Sequence, residues 1–334
     1  MATVAESPVV RPLPLKWRRG LAGELWAEFL GCFILISFGD GVVAMLWALV
    51  GSGRAISTPL TAKVGGGIFS AATPLLGSGD WLLITFGWCF AVCFAIYVVG
   101  GVTGAHINPA ITLGIALRKQ MPWSKVAPYW VAQIAGCFVG AALVFLVYNQ
   151  AINHWDQVNH IVKGTYASKG TYSTFATFPA PYFGSVWGPL CDQIVGTFFL
   201  ALFVFAVTDE FNMPVGSNLA PLIVGFIVLA IGISFGANAG YAINPARDFG
   251  PRLFAWAAGW GKQAMPGNYL MDNGVIVKNY FWVPIVGPLI GAGIAAFFWE
   301  GLVRDILRAR MGPEPGVVEV GETVREERPP PPDR

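Results

Sequence analysis

Two copies of the tripeptide Asn-Pro-Ala interrupt the apolar segments of this sequence. An asparagine before a helix accepts hydrogen bonds from the first turn through its side-chain oxygen, and proline is favoured at the first helical position. The NH₂ group of the same side chain can donate to the oxygen of a water or an alcohol, and it does not titrate. Each copy therefore predicts a helix start with a neutral hydrogen-bond donor beside it. The two copies are Asn108-Pro109-Ala110 and Asn244-Pro245-Ala246.

A pair of charged residues follows the second copy and not the first. Arg247 and Asp248 come directly after it, where the first copy continues with Ile111 and Thr112. An ionised side chain within an apolar segment is costly, and its default place is a pore or a hydrated cavity. We therefore expect Arg247 to lie on a polar path. Asp248 is expected to satisfy N–H groups in the first turn of its own helix and to complement the helix dipole.

The composition is that of an integral membrane protein. Of the 334 residues, 55% are hydrophobic and 12% are charged, whereas soluble domains carry about 25% charged residues. The net charge of +2, without a basic tract, gives no reason to expect a nucleic-acid partner. The cysteines suggest neither a disulfide framework nor a metal site, and we interpret them as small buried apolar side chains, with no cofactor expected. They are Cys32, Cys89, Cys93, Cys137 and Cys191.

Hydropathy predicts an all-α membrane fold with six transmembrane helices and two re-entrant half-helices. A helix that crosses the hydrocarbon core needs about 20 apolar residues. Two apolar stretches, 109–118 and 245–256, are half as long, so each is expected to enter the membrane and stop. The six full spans are predicted at 23–49, 82–102, 126–148, 186–208, 218–238 and 280–302.

The two halves of the chain are repeats. Residues 97–118 and 233–254 align without a gap at an offset of 136, and eight of the 22 positions are identical. Each half contains three spans, so the second copy must insert upside down relative to the first. Inverted repeats place discontinuous helices near the bilayer midplane. The N-termini of the two half-helices are therefore predicted to meet there, where their dipoles repel cations and where Asn108 and Asn244 donate to a passing oxygen.

Basic residues predict the orientation of the chain. They cluster before the first span, after the first half-helix and after the last span, which share one side of the membrane, and the positive-inside rule makes that side cytoplasmic. The connections 51–80 and 150–185 are then extracellular. The predicted segments are a cytoplasmic N-terminus at 1–20, a channel domain at 21–305 with repeats at about 23–148 and 186–303, and a disordered cytoplasmic tail at 306–334. The basic residues are Arg11, Lys16, Arg18, Arg19, Arg118, Lys119, Lys125, Arg304, Arg308 and Arg310.

Two stretches resemble the major intrinsic protein family. They are TGAHINPAIT at 103–112 and GYAINPARDFGPRLFAWAAGWG at 240–261, and the resemblance extends over about residues 23–305. Within the family, Asp248, Arg252 and a Pro-Leu pair in the last span are similar to the glycerol-conducting branch, the aquaglyceroporins. The resemblance implies an aquaporin-like fold and a homotetramer with one pore per subunit. It also implies that glycerol, other small polyols and water are the permeants.

The resemblance also assigns a selectivity filter. Arg247 matches the family's filter arginine, and Trp88 and Tyr241 match aromatic positions. Gly232, 12 residues before the second Asn-Pro-Ala, falls where water-selective members carry a histidine. For a polyol, Trp88 and Tyr241 would face the C–H side, and Arg247 would donate to the hydroxyls. Gly232 would leave open the room that a histidine fills.

Other polar residues of the spans have supporting or vestibule roles under this resemblance. Glu28 matches a glutamate that supports the loop before the first half-helix. Its repeat mate is Gln193, where the family commonly has Glu, so the equivalent support in the second half is left open. His106 is expected to hydrogen-bond the loop or to line the cytoplasmic vestibule. Asp40 is expected to line the outer vestibule or to reach the membrane interface, and the segment 51–80 to be a plain loop, a lid or an oligomer contact.

Together these features predict a passive channel in the plasma membrane, with both termini in the cytoplasm. It would pass glycerol, other small uncharged solutes and water, and it would exclude ions and protons. One alternative is a mainly water-selective channel, which the hydroxyl of Tyr241 favours weakly. Another is an ion- or proton-coupled secondary transporter, which needs an ionisable coupling site at the midplane. No enzymatic activity is expected.

Overall fold

The structure is a computed structural model that describes residues 19–51 and 78–311. The predictions for residues 1–18, for 52–77 in the long connection and for 312–334 in the tail lie outside these ranges. Within the described part, six helices are long and apolar enough to cross a membrane. In chain order the elements are α1 (Leu21–Gly51), α2 (Ser78–Thr103), α3 (Pro109–Leu117), α4 (Val126–Val158), α5 (Lys169–Tyr172), α6 (Trp187–Thr208), α7 (Ala220–Ala239), α8 (Pro245–Ala255), β1 (Tyr269–Leu270), β2 (Ile276–Val277), α9 (Val283–Phe298) and α10 (Asp305–Met311).

Both half-helices begin where the sequence predicts. Asn108 has extended backbone before α3, and its side chain accepts a hydrogen bond from the N–H of Ala110. Asn244 caps α8 in the same way through Ala246 and Arg247. The predicted asparagine caps, with Pro109 and Pro245 at the first helical positions, are therefore confirmed.

The half-helices pack mainly on the opposite repeat. Helix α3 lies against α9, and α8 lies against α4, so each repeat completes the other. The long helices also pair within each repeat, α1 on α4 and α6 on α9, and α2 packs on α7 across the two repeats. Glycines make these crossings close: a Cβ added at Gly136 would overlap the carbonyl oxygen of Phe29, and one at Gly291 would overlap that of Ile194. Small residues at helix crossings let the two backbones approach closely.

Helix α4 is longer than predicted. It ends at Val158, although its apolar run suggested an end at 148. Tertiary contacts stabilise the added turns: Trp155 packs on Trp47 of α1 with ring centroids 5.4 Å apart, and Asp156 accepts a hydrogen bond from the Thr171 hydroxyl. The predicted connection 150–185 is shorter for the same reason.

The end of the last long helix also differs from the prediction. A π-helical turn, Trp299–Arg304, joins α9 to α10, so residues 306–311 continue the helix instead of starting a disordered tail. Arg304 pairs with Asp209 at 2.9 Å and with Glu300 at 3.3 Å. The pair with Asp209 holds the turn against the connection between α6 and α7, a contact that hydropathy does not reveal.

Arg118, one of the basic residues used to predict orientation, is buried in the same network. Its Nη2 lies 2.9 Å from Asp209 Oδ2, and its Nε lies 2.6 Å from Glu300 Oε1. Burial raises the pKa of the Asp209 carboxyl. Hydrogen bonds from Trp299 and from a backbone N–H, with the two arginine charges, outweigh that effect and hold the pKa below its ordinary value of 3.8. The carboxylate therefore stays ionised at neutral pH and anchors the C-terminal end of α3.

Two smaller features correct the sequence interpretation. An antiparallel pair of short strands, β1 and β2, lies between α8 and α9, where no strand was predicted. Four of the five cysteines are buried as expected, but Cys191 is exposed because it lies near the start of α6 on its outward side. Among the described residues, no group of His, Cys, Asp or Glu side chains is arranged to hold a metal ion.

Candidate functional site

A cavity of about 470 Å³ lies between the two repeats. It is lined by both Asn-Pro-Ala loops and by parts of α2, α6 and α7. At one end it reaches Thr208 and Asn218, on the side where the chain begins α1. The predicted pore residues that line it are Trp88, His106, Asn108, Tyr241, Asn244 and Arg247.

The two asparagines bind each other's loops. Asn108 Nδ2 donates to the carbonyl of Ile243 at 2.9 Å, and Asn244 Nδ2 donates to the carbonyl of Ile107 at 2.8 Å. The Oδ1 of each is held by its own helix cap, so one N–H per side chain remains for the cavity. An oxygen at this point of the cavity can accept hydrogen bonds from both asparagines but cannot donate one to them.

The loops before the half-helices adopt a left-handed backbone at matched positions. Non-glycine residues rarely adopt positive φ, and a β-branched isoleucine there is an outlier that the surrounding structure must enforce. Ile107 has a φ of 41° and Ile243 a φ of 44°. Both repeats therefore carry a strained isoleucine backbone at the same position next to the cavity. The matched left-handed pairs are Gly104/Gly240, Ala105/Tyr241 and Ile107/Ile243.

Glu28 supports the first loop, as predicted. Its carboxylate accepts from the N–H groups of His106 at 3.0 Å and Ile107 at 2.7 Å. Gln133 of α4, which the sequence did not single out, donates to Glu28 at 2.8 Å and to the Thr112 hydroxyl at 3.0 Å. These bonds hold the loop in its strained conformation.

Gln193 supports the second loop, which settles the question left open by the missing glutamate. Its Oε1 accepts from the N–H of Ile243 at 3.0 Å, and its Nε2 donates to the carbonyl of Ala239 at 3.0 Å. A glutamate could make the first bond but not the second, because an ionised carboxylate has no hydrogen to donate. The support is kept in both halves, but one bond is reversed: Glu28 accepts from the Thr103 hydroxyl, whereas Gln193 donates to Ala239 at the matched position.

Replacing Gln193 by leucine is expected to lower the free energy of unfolding by about 2–4 kcal/mol, because two buried backbone groups lose their partners. Gln193→Glu is expected to fall between the leucine variant and the wild type, since it keeps the bond to Ile243 alone. Thermal unfolding in detergent would measure this order. A glutamate variant more stable than the wild type would show that the donated bond to Ala239 contributes nothing.

Asp248 supports the site through partners that the sequence did not predict. Its Oδ2 accepts from the N–H of Thr177 at 2.8 Å and from the Thr177 hydroxyl at 2.6 Å, and its Oδ1 accepts from Arg252 Nε at 2.7 Å. Arg252 in turn donates to the Thr177 carbonyl at 2.7 Å and to the Tyr269 hydroxyl at 3.0 Å. Asp248 therefore attaches α8 to the connection before α6. We expected its carboxylate to accept from N–H groups in the first turn of α8, and it does not.

Arg247 and Trp88 stack on each other beside the cavity. The guanidinium carbon lies 3.9 Å from the centroid of the indole ring. This arrangement is a cation–π contact, with the guanidinium over the face of the indole ring. We predicted separate roles for the two residues, but part of the indole face is covered by the arginine.

Tyr241 fills the room that we predicted to be open at Gly232. A Cβ at Gly232 would lie 3.0 Å from two atoms of the Tyr241 ring and 2.8 Å from Thr85 Cγ2. Trp81 closes the other side, with its ring edge-to-face on Tyr241 and its Nε1 donating to the Gly232 carbonyl. Gly232 thus contributes by letting a neighbouring ring lie close to α7.

Of the two predicted vestibule residues, one lines the cavity and one does not. His106 lines the cavity, and its Nδ1 lies 3.2 Å from the Thr112 hydroxyl of α3, so its predicted place in a vestibule stays a prediction and its side-chain partner is the half-helix and not the loop. Asp40 neither lines a vestibule nor reaches an interface: it is fully buried, with Oδ1 3.9 Å from Arg247 Nη1. The packing of α1 behind the second half-helix places it there.

Several residues of the site gave no usable signal in the sequence. Thr177 lies in a predicted connection, Trp81 lies one residue before a predicted span, and Gln133 lies in a predicted span. Gln133 alone had a weak signal, since a polar amide within the third span requires a partner. Its partner, Glu28, lies 105 residues away.

Comparisons with known proteins agree with this architecture. The family described as Major intrinsic protein matches residues 17–299. A glycerol uptake facilitator protein of Escherichia coli is 37% identical over 283 residues, 85% of this chain and 89% of its own length. Aquaporin-9 of Homo sapiens is 38% identical over 301 residues, 90% of this chain and 88% of its own.

A solved structure gives the same result. The X-ray structure of the aquaglyceroporin from Plasmodium falciparum is similar with a TM-score of 0.65 and 28% identity, over 87% of this chain and 100% of that one. The family match takes in both half-helices and the long helices that enclose the cavity. This chain belongs to the major intrinsic protein family.

Proposed function

We propose that this chain is a passive channel for glycerol, other small uncharged solutes and water. The observation that carries the proposal is the pair of asparagine amides at the meeting point of two half-helices, each with one N–H left for the cavity. The oxygen of a solute hydroxyl can accept a hydrogen bond from both amides, while its own hydrogen points along the pore. The names of the relatives, a glycerol uptake facilitator and an aquaglyceroporin, support the same solutes.

Ions are excluded by charge and by the cost of dehydration. The N-termini of α3 and α8 each present about half a positive charge to the same point, and Arg247 adds a full charge in the cavity wall. Among the residues that the structure describes, no Asp or Glu side chain lines the cavity to compensate the charge of a cation there. The relay of a proton from water to water is also opposed, because the asparagine NH₂ groups donate hydrogen bonds to a water and cannot accept one from it.

The selectivity filter comprises Trp88, Tyr241 and Arg247, with Gly232 behind the tyrosine. Arg247 donates to solute hydroxyls, and the aromatic rings contact the C–H groups. The Tyr241 hydroxyl is buried and makes no hydrogen bond with the described residues, so the ring is the part of this side chain that we assign to the apolar wall. This assignment accounts for a filter with an apolar and a polar wall, which suits a polyol better than water alone.

A proton- or ion-coupled transporter is the competing function of another class. It needs an ionisable group at the midplane, and in the described part of the chain no Asp or Glu lines the cavity. Glu28, which bonds the first loop, and Asp248, in the first turn of α8, are fully buried and engaged with backbone or arginine partners. The passive channel is the better-supported function.

The proposed assembly is a homotetramer in the plasma membrane, with both termini in the cytoplasm. The distribution of basic residues supports the orientation. An exposed aromatic stripe on α2, with Phe90 and Phe94 stacked at 5.9 Å, offers a face for lipid or for a second copy of the chain. Mass measurement of the detergent-solubilised protein would test the subunit number.

Purified protein in liposomes tests the transport function. Vesicles moved into a glycerol gradient should re-swell much faster than protein-free vesicles, whereas vesicles in sorbitol should shrink and stay shrunken. Glycerol entry at the protein-free rate would contradict the proposal. The flux should also be unchanged by a proton gradient, and a flux driven by that gradient would favour the coupled transporter.

A further inference from the structure

Asp40 is a buried carboxylate without a hydrogen-bond donor. It lies in α1, is 0% exposed, and neither of its oxygens accepts a hydrogen bond from any described residue. An ionisable group buried without partners is costly, and its presence requires a specific reason. Support of the loop before α3 is not the reason, because Glu28 on the same helix already accepts the hydrogen bonds from that loop.

The single cation beside Asp40 among the described residues is Arg247. Arg247 Nη1 lies 3.9 Å from Asp40 Oδ1, and the Arg247 side chain makes no hydrogen bond to any other described residue. At this separation opposite charges attract strongly in a poorly hydrated site. The distance is too long for a hydrogen bond, so the guanidinium is attracted without being locked, and its N–H groups stay free for a solute.

Gly39, the residue before Asp40, determines how closely Trp88 of the proposed filter approaches α1. A Cβ at Gly39 would overlap the Trp88 ring, so the indole lies directly against the α1 backbone. Trp88 in turn carries the Arg247 guanidinium on its face. Two consecutive residues of α1 therefore lie behind the two stacked side chains of the filter.

We infer that Asp40 is a positioning residue that sets the selectivity of the filter through Arg247. Its charge draws the guanidinium toward α1 and offsets part of the positive potential in the cavity wall. Without that charge, the guanidinium extends further into the lumen, and the filter becomes narrower and more positive. The inference rests on the proposed assignment of Arg247 to the filter.

A double-mutant cycle tests the inference. Asp40→Asn keeps the shape and removes the charge, and the ratio of glycerol to water permeability is measured in proteoliposomes for the wild type, D40N, R247A and the double variant. D40N should lower the ratio at least about threefold in the wild-type background and leave it unchanged in the R247A background, since contacting residues couple and independent ones add. Asp156→Asn, at a buried carboxylate bonded to Thr171, is the control for loss of a carboxylate and should not change the ratio.

The outcomes separate this inference from the filter assignment. If R247A itself leaves solute selectivity unchanged, the filter assignment is wrong. If R247A changes selectivity but D40N lowers the ratio equally in both backgrounds, or in neither, Asp40 does not act through the arginine and the inference fails. Should D40N not yield folded protein, Asp40→Ser is used in the same cycle with the same criteria, and chromatography of each variant confirms that the compared proteins are folded.

Discussion

Asp248→Ala is expected to cost about 3–5 kcal/mol of stability and to abolish transport in the protein that remains folded. The change leaves the Arg252 guanidinium fully buried without a counter-charge, and removing one partner of a buried ion pair has a cost of that size. It also releases the Thr177 N–H and hydroxyl that attach α8 to the preceding connection. Thermal unfolding in detergent and glycerol uptake in proteoliposomes would measure the two effects.

The double variant Asp248→Ala/Arg252→Met is the matched control for this prediction. It removes both charges and keeps an apolar side chain of similar length, so it is expected to be more stable than Asp248→Ala alone. Equal stability of the two variants would mean that the loss arises from the Thr177 bonds and not from the unpaired arginine.

Gly232→Ala is expected to lower glycerol permeability about tenfold while water permeability falls much less. The added Cβ would lie 2.8 Å from Thr85 Cγ2 and 3.0 Å from the Tyr241 ring. Such overpacking costs about 1–3 kcal/mol unless a neighbouring side chain moves. If a similar energy is added to the barrier for glycerol passage, about 1.4 kcal/mol lowers its rate tenfold. Since Tyr241 borders the cavity, its displacement narrows the path for a polyol before it blocks water. Gly232→His should have the same effect more strongly.

Two controls distinguish this mechanism from general damage to the helix bundle. Gly293→Ala adds the same methyl group to a glycine in α9 whose nearest neighbour would be 3.8 Å away, and it should leave both permeabilities unchanged. Gly232→Ala in a Tyr241→Ala background should have little effect, because the displaced ring is gone. If water and glycerol fell equally in Gly232→Ala, residue 232 would not contribute to the filter.

The positions of the helices could be predicted because their signals are local. Long apolar runs locate the six spans, and Asn followed by Pro locates the two half-helix starts to within a residue. The ends were less accurate. Helix α4 continues ten residues past its apolar run and α10 replaces the start of the predicted tail, because contacts with distant segments stabilise those turns.

Six of the residues predicted for the pore, the filter or a vestibule line the cavity, but most of their contacts were not predicted. Glu28 supports the first loop as expected, and Gln193 does the same for the second with one bond reversed. Asp40, by contrast, was placed in a vestibule, and the space at Gly232 was expected to be open. Both errors concern the rotation of a helix about its axis, which decides which side chains meet a given neighbour. In a uniformly apolar span, hydropathy does not indicate that rotation.

By itself, the sequence determined the membrane class, the inverted repeat, the two capped half-helices and the residue types that they bring to the midplane. These follow from hydropathy, capping chemistry and internal repetition, which act over a few residues or between aligned copies. Only the tertiary structure decided that Tyr241 occupies the space at Gly232, that Asp248 pairs with Arg252 and Thr177, and that Asp40 lies behind Arg247. Those contacts join segments far apart in the chain, and they depend on helix rotation and close packing, which no local pattern specifies.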